Sequence, residues 1–388
     1  MSSAHSIRLQ FIVFAVVAAS FTNIYLTQPV LPILQEEFSV DIVQASLSVS
    51  VVILGIALFN LPFGLLVDRV AIQPIILVGG SVVAAAGIVC AFTDSLNVLI
   101  ASRFVQGAFI PALTTCIAAY LAKTLPPERL NIVMGSYVSA TVLGGLGGRL
   151  LGGFIHPPLH WRYAFISAAV LIFITTLIAV KGLPKATPES AQKRSNISYW
   201  QLVKQWSFLR LFLCAMGSFA VFSSVFNYLP FRLVDSPFNF STEMITSLYL
   251  VYIMGIFMGP LSGRISNRLG SGTTLMGSSI VFAAGLAMIS LPSIVAIVVG
   301  LLLVCTGFFA GHAAAIGALN HKLTSGQGRA NALYVLFYYV GGSLGITVSG
   351  VAFESGGWNR LIMFCACLVL IPLVVGYFER RSASPVKL

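Results

Sequence analysis

Twelve apolar runs follow one another along the chain, at approximately 9–33, 44–67, 74–92, 96–121, 131–154, 162–181, 208–231, 244–262, 273–291, 293–318, 331–352 and 358–378. Each is near the roughly 20 residues that an α-helix needs to cross a hydrocarbon core. Twelve crossings use about 240 residues and leave about 150 for thirteen connections and tails, too few for a sizeable soluble domain. The runs are continuous rather than alternating, which argues against a β-barrel. Composition agrees: 57% of the 388 residues are hydrophobic and 9% charged, against roughly a quarter charged in a soluble domain. A soluble enzyme, a nucleic-acid-binding module and a single-span receptor are excluded. The expected class is an all-α integral membrane protein with the lipid bilayer as its partner.

The formal net charge of +11 does not point to nucleic acid, because the cations collect on one side of the predicted membrane. Of the 22 Lys and Arg, Arg103 and Arg149 fall within spans and Arg162, Arg232 and Arg360 on one face. The remaining seventeen fall on the other face. The positive-inside rule then puts both termini in the cytoplasm, and the expected location is the cell inner (plasma) membrane. The acids Glu36, Glu37, Asp41, Asp94, Asp235, Glu243 and Glu354 fall outside. The first run passes Ala18-Ala19-Ser20 and could imitate a secretory signal, but it continues to Pro32 and eleven spans follow, so cleavage is not expected. All six cysteines lie in apolar runs without metal or disulfide spacing and read as small core residues. No cofactor is expected.

Residues 182–206, with Pro184, Pro188 and a polar stretch, read as a cytoplasmic linker between bundles of six spans at 1–181 and 207–388. An internal repeat supports the division. Gly64-Leu-Leu-Val-Asp68-Arg69 returns as Gly263-Arg-Ile-Ser-Asn267-Arg268, Gly144-Gly145-x-x-Gly148 as Gly341-Gly342-x-x-Gly345, Trp161 as Trp358 and Arg129-x-Asn131 as Arg329-x-Asn331. The offsets are 197 to 200 residues throughout. Parallel repeats about an axis along the membrane normal are an architecture of one large carrier class.

The loop after the second span, Gly64 to Arg69 followed by Pro74, resembles the loop signature of the major facilitator superfamily, although Ala71, Ile72 and Gln73 replace its usual basic continuation. The resemblance implies the fold of that superfamily: twelve helices in two six-helix bundles related by pseudo-twofold symmetry. It makes Asp68 and Arg69, with Asn267 and Arg268 in the second copy, an inner latch or plain basic loop anchors. Leu99-x-x-x-Arg103-x-x-Gln106-Gly107 resembles the superfamily's fourth-span motif, whose arginine is implicated in proton coupling. The alternative for Arg103 is a structural role bound to backbone carbonyls.

In the fifth span, Gly135, Gly144, Gly148, Gly152 and Gly153 resemble the signature of drug:proton antiporters, which marks export. Arg149 stands where that pattern has proline. Independently of any family, Ser136, Ala140, Gly144, Gly148 and Gly152 recur every four residues as a small-residue stripe suited to close helix contact. Arg149 is either a snorkelling cation or part of an outer gate or an anion contact. Tyr25-x-x-Gln28-Pro29-Val30-Leu31-Pro32, Phe226-Asn227-Tyr228 and Tyr338-Tyr339-Val340-Gly341-Gly342 look like the YnfM-type branch of proton-coupled exporters.

The cavity expected of such a fold is lined by spans one and seven. Asn23, Tyr25, Thr27 and Gln28, with Asn227 and Tyr228, are therefore the substrate candidates; interhelical hydrogen bonding is the alternative for each. No Asp or Glu lies in the middle of a span, which favours a neutral or anionic substrate over a lipophilic cation. His312 is the only histidine inside a span. It is a candidate proton switch or a packing residue, with Asp68, Glu36, Glu37 and Asp41 as other proton carriers. The expected function is proton-coupled efflux of a small organic molecule by a monomer working through alternating access. Proton-coupled uptake of an organic anion is the alternative. No nucleophile elbow or metal cluster supports an enzyme.

Overall fold

The computed structural model describes residues 3–67, 69–183, 198–323 and 326–382, and every regular element among them is helical. The first helices are α1 (Ser3–Ile24), α2 (Leu31–Phe38), α3 (Ile42–Leu66), α4 (Ile72–Phe92), α5 (Leu96–Leu113), α6 (Thr115–Thr124), α7 (Pro127–Ile155) and α8 (Trp161–Gly182). They are followed by α9 (Tyr199–Lys204), α10 (Trp206–Val234), α11 (Thr242–Leu248), α12 (Met254–Leu269), α13 (Ser271–Ile289), α14 (Ile294–His321) and α15 (Gln327–Ser382). The expected linker falls mostly outside the described residues, as does Asp68.

Among the described residues, eleven segments are long and apolar enough to cross a membrane. The twelfth crossing is contained in α15, whose 56 residues would extend about 84 Å at the helical rise, far beyond one hydrocarbon thickness. The regular helix is interrupted at Gly356 and Gly357, and Gly357 has φ +66, which glycine adopts without a Cβ penalty. The sequence boundary at 353–357 coincides with this break. Other spans are composite. The first is α1, a 3-10 turn at Gln28–Val30 and α2, joined where Pro29 and Pro32 interrupt the helical donor series. Its helix reaches Phe38, five residues past the expected end at 33. Large apolar side chains point outward throughout, with Phe92, Val295 and Met363 more than two-thirds exposed, as a lipid-facing surface requires. Cys367 shares that exposure; the other five cysteines are buried as expected.

The chain forms two compact units, residues 1–192 with 240–249, and residues 193–239 with 250–388. In the first, α1 packs on α7, α3 on α5, and α4 on both α5 and α8. Gly144, Gly148 and Gly152 of α7 lie against the main chain of Ala18, Thr22 and Leu26 in the first span. A Cβ at any of these glycines would meet a carbonyl oxygen, so the four-residue stripe is the seam on which two helices approach. The short helix α11 packs on α7 and on the Gln28–Val30 turn, with Thr246 filling the space above Gly153. In the second unit α10 packs on the first half of α15 in the same way, Gly341 against Met216 and Gly345 against Ala220. There α13 also packs on α14 and α15.

Candidate functional site

Two guanidinium groups are buried inside the first unit, and each organises polar side chains from the first span. Arg103, fully buried on α5, donates from Nε to the Ser48 carbonyl at 2.9 Å and from Nη2 to the Ile24 carbonyl at 2.6 Å. Its Nη1 reaches both the Asn23 carbonyl and Gln106 Oε1 at 2.6 Å. One side chain thus ties α1, α3 and α5 through neutral acceptors. In a low-dielectric interior such charge-assisted bonds are strong and their loss expensive. Gln106 continues the network, donating from Nε2 to the Val83 carbonyl at 3.2 Å and to Asn23 Oδ1 at 3.5 Å.

The substrate candidates around it are already engaged. Asn23 Nδ2 donates back to the Ala19 carbonyl at 2.8 Å, and Thr27 Oγ1 accepts from Ser48 Oγ at 3.0 Å. Both residues are buried.

Arg149 builds the second cluster at the seam between α7 and the first span. Its Nε donates to Gln28 Oε1 at 2.6 Å and its Nη1 to the Gly145 carbonyl at 2.7 Å. The guanidinium lies 3.8 Å from the centre of the Tyr25 ring and 5.5 Å from that of Tyr249. Arg149 is 1% exposed, so the snorkelling position considered from sequence is not the one it occupies. Gly145 lies beside both the guanidinium and the Tyr25 ring.

In the second unit, Tyr228 donates its hydroxyl to the Ile346 carbonyl at 2.8 Å and stacks near Phe231 and Phe353. Asn227 is fully buried on the same helix. His312 Nδ1 lies 3.1 Å from the Tyr334 hydroxyl. Its ring is stacked on Phe308 at 6.0 Å and tilted against Tyr338 at 5.1 Å. It belongs to an aromatic cluster in which Phe219 stacks on Tyr338 and Phe222 on Phe308, each at 3.8 Å. Of the expected latch residues, Arg69, Asn267 and Arg268 are exposed.

Two charged clusters escaped the sequence reading. Glu379, near the end of α15, is the one buried acid among the described residues. It accepts from Arg210 Nε and from Lys322 Nζ, both at 2.6 Å. Burial holds the Lys322 ammonium below its usual range, with Glu379 pulling the other way. In the first unit, Glu37 accepts from the Trp161 indole and pairs with Arg162, which also donates to the Thr93 carbonyl at 2.8 Å and to Asp94 at 2.9 Å. Beside it, burial and the neighbouring His160 keep the His156 imidazole below the ordinary histidine range, against the pull of Glu37 and Glu243. These partners are far apart in sequence, so no local pattern announces them.

A model of the major facilitator superfamily matches residues 13–321. The uncharacterized MFS-type transporter YybF of Bacillus subtilis (strain 168) is 27% identical over 389 residues, covering 98% of this chain and 95% of that protein. The inner membrane transport protein YnfM of Escherichia coli (strain K12) is 28% identical over 379 residues, covering 95% and 89%. A solved bacterial homolog of the human lysosomal transporter Spinster, in an inward-facing and occupied conformation, shares the fold with a TM-score of 0.77. Its sequence identity is 16%, over 98% of this chain and 97% of that one. A chain of apolar helices whose fifth and eleventh spans repeat one glycine seam, matched by this model over most of its length, belongs to the major facilitator superfamily: it is a multi-pass membrane protein and a secondary transporter working by alternating access, not an enzyme.

Proposed function

We propose that the chain exports a small neutral or anionic organic molecule in exchange for protons, as a monomer in the inner membrane with both termini in the cytoplasm. The observation that carries the direction is the fifth-span glycine pattern. Its Gly144, Gly148 and Gly152 form the contact seam with the first span, and that pattern resembles the signature of exporters. The charge class follows from the ions buried within spans of the first unit, Arg103 and Arg149, which are cations held by Gln106, Gln28 and backbone carbonyls. Asn23, Tyr25, Thr27, Gln28, Asn227 and Tyr228 are the proposed substrate contacts. Arg103 and His312 serve proton coupling. Asp68, Arg69, Asn267 and Arg268 would act as the inner latch, with the α7 glycines and Arg149 on the other side. The test is flux in proteoliposomes under an imposed pH gradient. Transport that ignores both the gradient and its collapse eliminates proton exchange.

One observation favours proton-coupled uptake of an organic anion instead. α7 runs unbroken from Pro127 to Ile155, with Arg149 where the exporter pattern has proline, so the fixed kink of that pattern is missing. Accumulation in energised cells discriminates the two: export lowers the internal substrate, uptake raises it.

A further inference from the structure

Gln28 is held in one orientation. Arginine has no acceptor, so the 2.6 Å bond from Arg149 Nε fixes the Gln28 oxygen on the Arg149 side and leaves Nε2 as a donor pointing elsewhere. That amide nitrogen is buried and finds no acceptor in the protein, and Gln28 is 0% exposed. A buried donor without an acceptor is one of the costlier features a membrane interior can hold. Here it adjoins a buried guanidinium that donates to the Gln28 oxygen and the Gly145 carbonyl.

We propose that Arg149 and Gln28 form a carboxylate-binding subsite. One ligand oxygen accepts from Gln28 Nε2 and the other from the guanidinium. The ring of Tyr25, 3.8 Å from that guanidinium, offers a flat apolar wall for what the carboxylate carries. A monocarboxylate fits because the Gln28 amide and the guanidinium present two donor groups for its two oxygens. Tyr249, fully buried at the end of the 240–249 segment, closes one side. Tyr25 is half-buried. The cluster differs from that of Arg103, whose Gln106 partner has its amide nitrogen already donating. The subsite rests on the reading of the chain as a carrier of neutral or anionic molecules, and it narrows that reading to carboxylates.

The test uses purified full-length protein in nanodiscs at constant ionic strength. Acetate, benzoate and 1-naphthoate are compared with acetamide, benzamide and 1-naphthamide as additives in thermal melts. At least one carboxylate raises the melting temperature saturably where its amide does not. Arg149→Gln weakens that response at least tenfold. Gln28→Glu installs an internal carboxylate beside Arg149. It raises the melting temperature without additive and removes the response to added carboxylate, so loss of folding cannot imitate the expected result. If no carboxylate outperforms its amide on the unsubstituted protein, or if the response survives both substitutions, the subsite is wrong. Flux driven by a pH gradient without carboxylate discrimination removes this subsite alone. Carboxylate discrimination without any response of flux to the gradient removes proton exchange and leaves the subsite standing.

Discussion

Gly148 meets the carbonyl oxygen of Thr22 so closely that a Cβ has no place there, and Gly345 stands in the same relation to the main chain of Ala220. The glycines are 197 residues apart and their partners 198, so the repeat read in sequence is also a repeat of one helix contact. Gly148→Ala and Gly345→Ala are each expected to destabilise by about 1–3 kcal/mol through overpacking. Gly135→Ala is the control, because nothing lies within 4 Å of its Cβ position. Thermal melts in detergent compare the three, and equal melting temperatures for Gly148→Ala and Gly135→Ala would refute a tight seam.

Arg103→Ala is expected to reach the membrane, lose coupled flux and melt at lower temperature. It removes the Arg103 donors from the Asn23, Ile24 and Ser48 carbonyls, and a hydrogen bond to a charged group is worth about 1.5–3 kcal/mol. Arg103→Lys should recover only part, since a single ammonium cannot reach acceptors spread across three helices. Normal coupled flux in the alanine variant removes Arg103 from the mechanism.

His312→Ala is expected to flatten or shift the pH dependence of flux. Tyr334→Phe removes the hydroxyl 3.1 Å from Nδ1 and should move the profile less. An unchanged profile in both assigns His312 to packing in the aromatic cluster.

Glu379→Gln leaves Arg210 and Lys322 without their shared acid, and removing one partner of a buried ion pair destabilises by about 3–5 kcal/mol. Adding Lys322→Met should return part of the loss, because one uncompensated cation disappears with it. Chemical denaturation of the three proteins measures this; no loss on Glu379→Gln would mean the cluster is solvated.

His156 lies just past the end of α7, and its folded pKa is below the ordinary 6.5. As pH falls, the unfolded chain takes up that proton first, so this residue's contribution is present above pH 6.5 and is lost as pH drops through the folded value. His156→Gln should therefore reduce the fall in melting temperature between about pH 7.5 and about pH 5. An identical fall in both proteins rules out His156 as its source.

The parts legible in sequence were those with a local period. The apolar runs located the crossings, including the break that separates the halves of α15. The four-residue stripe at Gly144, Gly148 and Gly152 marked one side of a close helix contact, and its partner in the first span is seen only in the structure. The polar clusters were less legible because their partners are remote: Glu379 lies 169 positions from Arg210 and 57 from Lys322. In sequence these are three ordinary helix-end charges. Asn23 and Thr27 were legible as polar residues in an apolar helix. That Asn23 turns back to Ala19 and Thr27 meets Ser48 depends on side-chain directions that no spacing encodes.

Residues 240–249 pack with the first unit, although the chain before and after them belongs to the second. The chain therefore passes from one unit to the other at three places. A fragment ending anywhere in the linker would lack Thr246 above Gly153 and Tyr249 beside Arg149. The first six spans alone thus leave these two places in their packing unfilled. During synthesis the seam around Arg149 is completed only after the eighth span has begun to emerge.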